Sequence, residues 1–219
     1  SFKAELKRLQ PDVEFVAEQA PPFGRLDPGP AVQALADAKP DAIFNVLFGP
    51  DLTKFAREGK TRGLFEGRTV VSLLTGEPEY LDPLRADAPD GWIVTGYPYT
   101  SIDTPEHDAF IKAYEEKYDD YPRLNSVIGY STVMALAAGI EKAGSTDTEA
   151  LIKAFKGLEF VTPFGPVKFR ELDNQSTMGI HVGRLAVENN RGVMPEGEYI
   201  PGEELQPPDD VVKQLRKDG

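Results

Sequence analysis

Two apolar runs in this chain each lead into a glycine that is followed closely by an acidic residue. Residues 41–51 have the sequence DAIFNVLFGPD, and residues 69–77 have the sequence TVVSLLTGE. Each pattern predicts a fully buried parallel strand that stops abruptly at a turn. In open α/β sheets, ligands bind just beyond the carboxyl ends of such strands. We therefore expect function at these two turns.

The first hundred residues alternate between helical and extended patterns, which predicts a parallel sheet with helices on both faces. Phe2, Leu6 and Leu9 have the spacing of an amphipathic helix over residues 1–9. The other predicted elements are helices at 31–38, after residue 51 and at 79–84, and strands at 13–16, from 41, at 69–74 and at 92–95. The predicted fold class is α/β, with a doubly wound parallel sheet.

The pattern changes near residues 96–101. Thr104 and Pro105 predict a helix start, with Thr104 as N-cap and Pro105 in the first turn. Two more helices are predicted at 126–143 and 149–155, and three helices in succession cannot continue the alternating sheet. Two β-like runs follow at 165–170 and 179–186, and the tail from Glu188 is predicted to be mostly loop with a helical turn at 211–215. We therefore expect a domain change close to Gly96.

Composition excludes several classes of function. The 219 residues carry a formal charge of −12, which argues against a nucleic-acid partner because phosphate binding needs a basic surface. The longest apolar runs are too short to span a bilayer. The absence of cysteine removes disulfides, thiolate nucleophiles and cysteine-based metal sites.

Motifs for enzyme chemistry are missing from the sequence. The two histidines, His107 and His181, lack a metal-ligand spacing partner, and both are predicted to be exposed, His181 at the surface or facing a loop. No nucleophile elbow, phosphate-binding loop or dinucleotide fingerprint follows a predicted strand. The sequence therefore predicts neither a catalytic residue nor a metal or cofactor.

Glu77 and Asp51 are the acidic residues with the strongest case for a functional role. Each follows a predicted buried strand, where a carboxylate in a dry cleft would bind a ligand ammonium group strongly. The alternative is that each caps the helix that follows, which applies to Asp51 in particular. Glu77 is the stronger candidate because it lies behind Thr75 and Gly76.

Apolar and aromatic residues near these turns have two interpretations each. Leu47 and Phe48 end the first run and belong either to the core or to an apolar wall for a ligand side chain. Tyr97 and Tyr99 flank Pro98 at the expected domain change, where they either line a cleft or stiffen a hinge.

Taken together, these segments resemble type I periplasmic solute-binding proteins, and most closely the branched-chain amino acid and amide-binding group of ABC importers. The resemblance covers nearly the whole chain and depends on the order and spacing of its segments. These are KPDAIF at 39–44, FGPD at 48–51, LTGE at 74–77, GYPY at 96–99, GYS at 129–131, KAGS at 142–145 and TPFGPV at 162–167.

The resemblance implies two α/β lobes joined by crossover strands, with a ligand held between them. It implies that residues 1–96 form most of the second lobe, that 97–157 hold a crossover and first-lobe helices, and that 158–219 return to the second lobe. It implies that Glu77 stands at the position of the ligand-binding acid, and that Leu47 and Phe48 stand where amino acid binders often have tyrosine. The implied ligand is an amino acid, an amide or an aromatic acid.

The resemblance also implies a periplasmic location and an ABC permease in the inner membrane as partner. A cytoplasmic ligand sensor on the same fold is the alternative. The segments that match leave the first third of such a protein, with its export signal, outside this chain. Without the central strand carried by that third, neighbouring strand edges would be unpaired. We therefore expect this chain to dimerise or exchange strands rather than to be a stable monomer.

Overall fold

A computed structural model describes residues 2–216 and shows a mixed α/β fold. Residue 1 of the predicted first helix, and residues 217–219 of the last expected segment, lie outside the described residues. The helices are α1 (Phe2–Leu9), α2 (Pro28–Ala38), α3 (Gly49–Thr61), α4 (Pro78–Leu84), α5 (Pro105–Tyr118), α6 (Leu124–Ala143), α7 (Thr148–Phe155), α8 (Gly202–Leu205) and α9 (Asp209–Leu215). The strands are β1 (Ala42–Asn45), β2 (Thr69–Gly76), β3 (Ile93–Gly96), β4 (Glu159–Thr162), β5 (Gly165–Lys168), β6 (Ile180–Arg184), β7 (Ala186–Glu188), β8 (Arg191–Val193) and β9 (Gly197–Ile200).

A five-stranded sheet in the order β1-β2-β3-β6-β9 organises the described part of the chain. β1, β2 and β3 are parallel, whereas β6 is antiparallel to β3 and β9 is antiparallel to β6. The strands β4 with β5, and β7 with β8, form two separate antiparallel pairs. Because β1 to β3 are parallel, their carboxyl ends lie at one edge of the sheet, and the α/β fold class is confirmed.

The largest hydrophobic core lies between this sheet and the helices α2, α3 and α4. Its fully buried members include Val32, Ala56, Leu64 and Val94. A second, smaller cluster joins the end of β3 to α5 and α6 through Tyr97, Phe110 and Val127. The helix prediction at α5 is confirmed in detail, because the hydroxyl oxygen of Thr104 accepts a hydrogen bond from the backbone N–H of His107 at 3.3 Å. None of the described helices is long and apolar enough to cross a membrane.

Several sequence-based expectations about the strands are wrong. β1 and β2 are not buried on both faces, because Leu73 is exposed and Phe44 is only half-buried under Phe2 of α1. Residues 13–16 belong to no strand, although they alternate in hydropathy, because no described strand pairs with them. Conversely, β8 and β9 lie in the tail that was expected to be loop. β9 contains a glycine and a glutamate, and its pairing with β6 rather than its own apolar content makes it a strand.

Candidate functional site

The carboxyl ends of β2 and β3 meet at an unusually close backbone approach. Gly76 is paired with Gly96, and the backbone N–H of Tyr97 donates a hydrogen bond to the carbonyl oxygen of Gly76 at 3.1 Å. A Cβ atom on Gly96 would lie 2.3 Å from the carbonyl carbon of Gly76. Only glycine fits at such a distance, and this contact fixes the point at which Glu77 leaves the sheet.

A bulge in β2 precedes this contact. Between the paired positions Ser72/Val94 and Gly76/Gly96, β2 advances by four residues while β3 advances by two. Leu74 lies within the bulge with a φ of 68°, and its N–H donates to the hydroxyl oxygen of Thr95 at 2.9 Å. Left-handed backbone is costly for leucine and tends to occur at functional sites. The bulge alters the side-chain alternation that the sequence pattern predicts.

A buried row of polar side chains lies beneath the bulge. The side-chain amide of Asn45 donates to Ser72 Oγ at 2.7 Å, and Ser72 Oγ lies 2.5 Å from Thr75 Oγ1. All three residues are buried. Sequence analysis identified Thr75 but missed Asn45 and Ser72. Each of these two residues could have been noticed because it is a polar residue inside an apolar run. The row connects the ends of β1 and β2 and holds Thr75 inward.

Glu77 is a buried carboxylate without a partner among residues 2–216. It occupies the N-cap position of α4, but its side chain makes no capping hydrogen bond, and it forms no ion pair with a described residue. Only 8% of Glu77 is exposed. Burial, reinforced by the negative charge of Glu79, raises the pKa of Glu77 to about 7. A cation that reaches such a buried, unpaired carboxylate stabilises its ionised form.

Glu79 is a second acidic residue near this site, and sequence analysis missed it. Its Oε1 accepts hydrogen bonds from the backbone N–H and the side-chain amide of Asn125, at 2.8 and 3.0 Å. Its Oε2 is buried without a hydrogen-bond partner in the described structure. The charge of Glu79 also helps to raise the pKa of Tyr97, after the larger effect of burial. The Glu79 carboxylate therefore lies within electrostatic reach of both Glu77 and Tyr97.

Leu47, Phe48 and Asp51 belong to the predicted turn at the end of the 41–51 run, after β1. Leu47 is half-buried against the main core, whereas Phe48 is 49% exposed and stacks on Phe23 with ring centroids 4.7 Å apart. The prediction that Asp51 caps a helix is wrong, because α3 begins at Gly49 with Phe48 as N-cap. Asp51 instead accepts a hydrogen bond from the N–H of Leu26 at 3.3 Å and pairs with Lys54 at 3.5 Å. Its carboxylate therefore fastens the loop before α2.

Tyr97 is buried at the end of β3, with 2% of its surface exposed. Its hydroxyl lies 2.7 Å from His107 Nε2, and its ring packs against Phe164. The expectation that His107 is exposed is wrong, because it is 1% exposed and its side chain meets Tyr97. Burial lowers the pKa of His107, so the neutral imidazole is favoured. Tyr97 thus connects the end of β3 to α5.

The expectation for His181 is also wrong. His181 is buried on β6 between the rings of Phe164 and Tyr199, with centroids 4.9 and 5.0 Å away, and its Nδ1 has no partner in the described structure. Burial, with a smaller contribution from the charge of His107, lowers the pKa of His181 to about 4. Among residues 2–216, no group of three or more potential ligands could hold a metal ion.

A polar network fixes α4 against the start of α6. Asp82 on α4 accepts hydrogen bonds from the Tyr121 hydroxyl, from Arg123 at 3.2 Å and from Arg191 of β8 at 3.2 Å. Tyr121 in turn stacks on Tyr99 with centroids 4.7 Å apart. Together with the Glu79–Asn125 contacts, these bonds join the helix that follows Glu77 to α6.

The fold is that of a periplasmic binding protein. A family model described as periplasmic binding protein matches residues 1–191, and the chain belongs to that family. The chain is 32% identical over 140 residues to a leucine-, isoleucine-, valine-, threonine- and alanine-binding protein of Pseudomonas aeruginosa. This match covers 63% of the chain and 37% of that relative.

Solved structures give the same result. An ABC-type branched-chain amino acid transporter structure from Rhodopseudomonas palustris superposes with a TM-score of 0.70 at 25% identity, covering 88% of this chain and 53% of that one. A solute-binding protein from the same species, solved with p-hydroxybenzoic acid, gives a TM-score of 0.71 at 25% identity and covers 90% of this chain and 53% of that one. The chain therefore spans about half the length of these structures, and its match spans less than half the length of the curated relative. Proteins of this class bind solutes and are not enzymes.

Proposed function

We propose that this chain forms part of the substrate-binding component of an ABC importer, and that it binds a small polar solute beyond the carboxyl ends of β2 and β3. The observation that carries the proposal is Glu77, a buried carboxylate without a partner among the described residues, at the edge where ligands bind in α/β sheets. Membership of the periplasmic binding protein family supports it. The names of the relatives make amino acids and aromatic acids the first solutes to test.

In this proposal each residue of the sheet edge has a distinct role. Glu77 accepts hydrogen bonds from a ligand ammonium group, and its burial strengthens them. Gly76 permits the close approach of β2 to β3, and Thr75 holds the turn through Ser72. Leu47 and the exposed ring of Phe48 supply an apolar wall, and Tyr97 positions the end of β3 through His107.

The proposed mechanism is a population shift without a covalent step. Residues 1–96 form most of one lobe, residues 97–157 contribute a crossover and helices to the other, and residues 158–219 return to the first. A ligand that contacts both lobes favours the closed state by its difference in affinity for the two states. The closed protein then presents the solute to an ABC permease, and this role assigns it to the periplasm.

A direct test is the substitution Glu77→Gln, which removes the charge but keeps the shape of the side chain. We expect the affinity for an amino acid ligand, measured by isothermal titration calorimetry, to fall at least about tenfold, or roughly 1.4 kcal/mol. A thermal-shift screen first identifies the solute, since a ligand at ~100 times its Kd adds about 2.7 kcal/mol of stability. The matched control is Glu106→Gln at an exposed position of α5. A smaller loss in Glu77→Gln would show that Glu77 is not the charge partner.

We also propose that the free edge of β1 allows this chain to dimerise or to exchange strands. Among the described strands, β1 pairs only with β2. An unpaired edge of this kind is a template for another strand.

A further inference from the structure

Glu77 and Glu79 lie two residues apart at the start of α4, and neither carboxylate forms an ion pair with a described residue. We propose that Glu79 is a second ligand-facing carboxylate, and that the site selects solutes carrying a positively charged nitrogen over solutes whose only ionised group is a carboxylate. This inference rests on the proposed function and narrows its substrate class.

Asn125 holds the Glu79 carboxylate in position, and no described residue compensates the charge of Glu77 or Glu79 with an ion pair. Glu77 is more than nine-tenths buried and makes no hydrogen bond within residues 2–216. Glu79 is oriented by Asn125 through Oε1, which leaves Oε2 buried and unpartnered in the described structure. A buried polar atom without a partner costs stability unless something else satisfies it. A cationic ligand group that reached both carboxylates would satisfy them.

The nearest basic residue along α6 does not serve this purpose. Arg123 lies two residues before Asn125, but its guanidinium is bound to Asp82 at 3.2 Å and to Asp120 at 2.6 Å. Arg191 is likewise paired with Asp82. Arg123 and Arg191 thus have acidic partners of their own, and in this proposal the positive charge that Glu77 and Glu79 lack comes from the ligand.

The chemistry of two adjacent acids sets the selectivity. A ligand carboxylate brought next to them meets like charges in a poorly screened environment, whereas an ammonium, amidinium or guanidinium group forms charge-assisted hydrogen bonds. The site would therefore differ in preference from the similar solute-binding protein solved with p-hydroxybenzoic acid. Glu79 would act as a specificity-determining residue beside Glu77.

Matched solutes of one shape and different charge test this selectivity. The pairs are benzamidine against benzoate, with benzamide as the neutral reference, and L-leucine against 4-methylpentanoate, which is leucine without its amino group. Titration calorimetry at pH 8 keeps Glu77 ionised. We expect the solute with the cationic group to bind at least about tenfold more tightly in each pair.

The substitution Glu79→Gln should reduce this preference by about threefold or more, because it removes one charge. Glutamine retains an acceptor oxygen for Asn125, so the start of α6 stays in place. Glu106→Gln is the matched control, since Glu106 also follows a proline at the start of a helix but is exposed. It should leave the ratios unchanged. Ratios that are unchanged in Glu79→Gln would overturn the inference.

A measurement without ligand tests the same contact between the two acids. Carboxyl ¹³C titration by NMR should show a lower pKa for Glu77 in Glu79→Gln than in the unsubstituted chain, because charge repulsion is removed. An unchanged pKa would overturn the inference. Tighter binding of benzoate than of benzamidine would also overturn it but would leave the proposed function intact. Failure of every solute to bind would instead contradict the proposed function, and with it this inference.

Discussion

The raised pKa of Glu77 makes the stability of this protein depend on pH in a defined direction. The pKa rises from 4.5 to about 7 on folding because of burial and the charge of Glu79. Below pH 4.5 the group is protonated in both states and has no effect. Between pH 4.5 and 7 the unfolded chain loses this proton first, so stability falls as pH rises. Above pH 7 the full penalty applies, up to about 3 kcal/mol.

Glu77→Gln should remove this penalty. We expect the variant to be more stable than the unsubstituted chain at pH 8, and the advantage to disappear at pH 4. Urea unfolding at a series of pH values measures both quantities. His181 has the opposite effect: its pKa is lowered from 6.5 to about 4, so stability is lost as the pH falls below 6.5. This contribution is the same in both proteins and cancels when they are compared at each pH. A constant difference across this range would contradict the assigned pKa.

At the residue scale, sequence reasoning identified positions by their place at strand ends, but it could not assign their partners. Glu77 was found because it follows an apolar run and a glycine. His107 and His181 were expected to be exposed because their burial depends on Tyr97, Phe164 and Tyr199, which come from distant segments. Glu79 was missed because nothing in the sequence places Asn125 beside it. Such contacts arise from tertiary packing and leave no local pattern.

The close approach of β2 to β3 predicts a large effect of a small substitution. In Gly96→Ala the new methyl group would lie 2.3–2.4 Å from the backbone of Gly76. Backbone atoms cannot move aside cheaply, so we expect a loss of about 3 kcal/mol in the free energy of unfolding. The displaced turn should also weaken ligand binding, because Glu77 follows directly. Chemical denaturation and calorimetry measure the two effects.

Gly129 on α6 is the matched control for this substitution. A Cβ atom there would meet nothing within 4 Å, and its φ is not in the left-handed region. Because glycine is unfavourable inside a helix, Gly129→Ala should stabilise the protein by about 0.5–1 kcal/mol. If Gly96→Ala were as well tolerated as Gly129→Ala, the result would contradict the close approach of β2 to β3.

At the element scale, helices with strong end signals and the strands β1, β2 and β3 were predicted well, whereas residues 13–16 and the strands of the tail were not. Thr104 and Pro105 mark the start of α5, and Gly144 follows the last residue of α6. In contrast, residues 13–16 alternate in hydropathy but pair with no described strand, while β9 pairs with β6 in spite of its polar content. A strand exists only where a neighbour accepts its hydrogen bonds. The bulge at Leu74 depends on the same kind of pairing and has no sequence signal.

At the scale of the whole molecule, strand β1 forms an edge of the sheet that is open to association with another chain. β1 is bounded on one side by β2, and no described strand covers its other side. Apolar side chains are exposed at Val46, directly after β1, and at Phe15 and Val16 in the unpaired segment. Helix α1 has no fully buried residue, and its Phe2 stacks on Phe44 of β1. Long-lived monomers usually protect such an edge with charge, proline or a covering element.

We therefore expect this chain to self-associate through β1, by dimerisation or strand exchange. Light scattering after size exclusion should show a dimer or larger species at micromolar concentration, and the melting temperature should rise with protein concentration. Salt near 150 mM screens the repulsion that a charge of −12 imposes on each copy. Val46→Lys places a charge beside the free edge and should shift the population towards monomer, whereas Val211→Lys on α9 should not. A monodisperse monomer that melts cooperatively at every concentration would contradict this expectation and would show that the β1 edge is protected within a single chain.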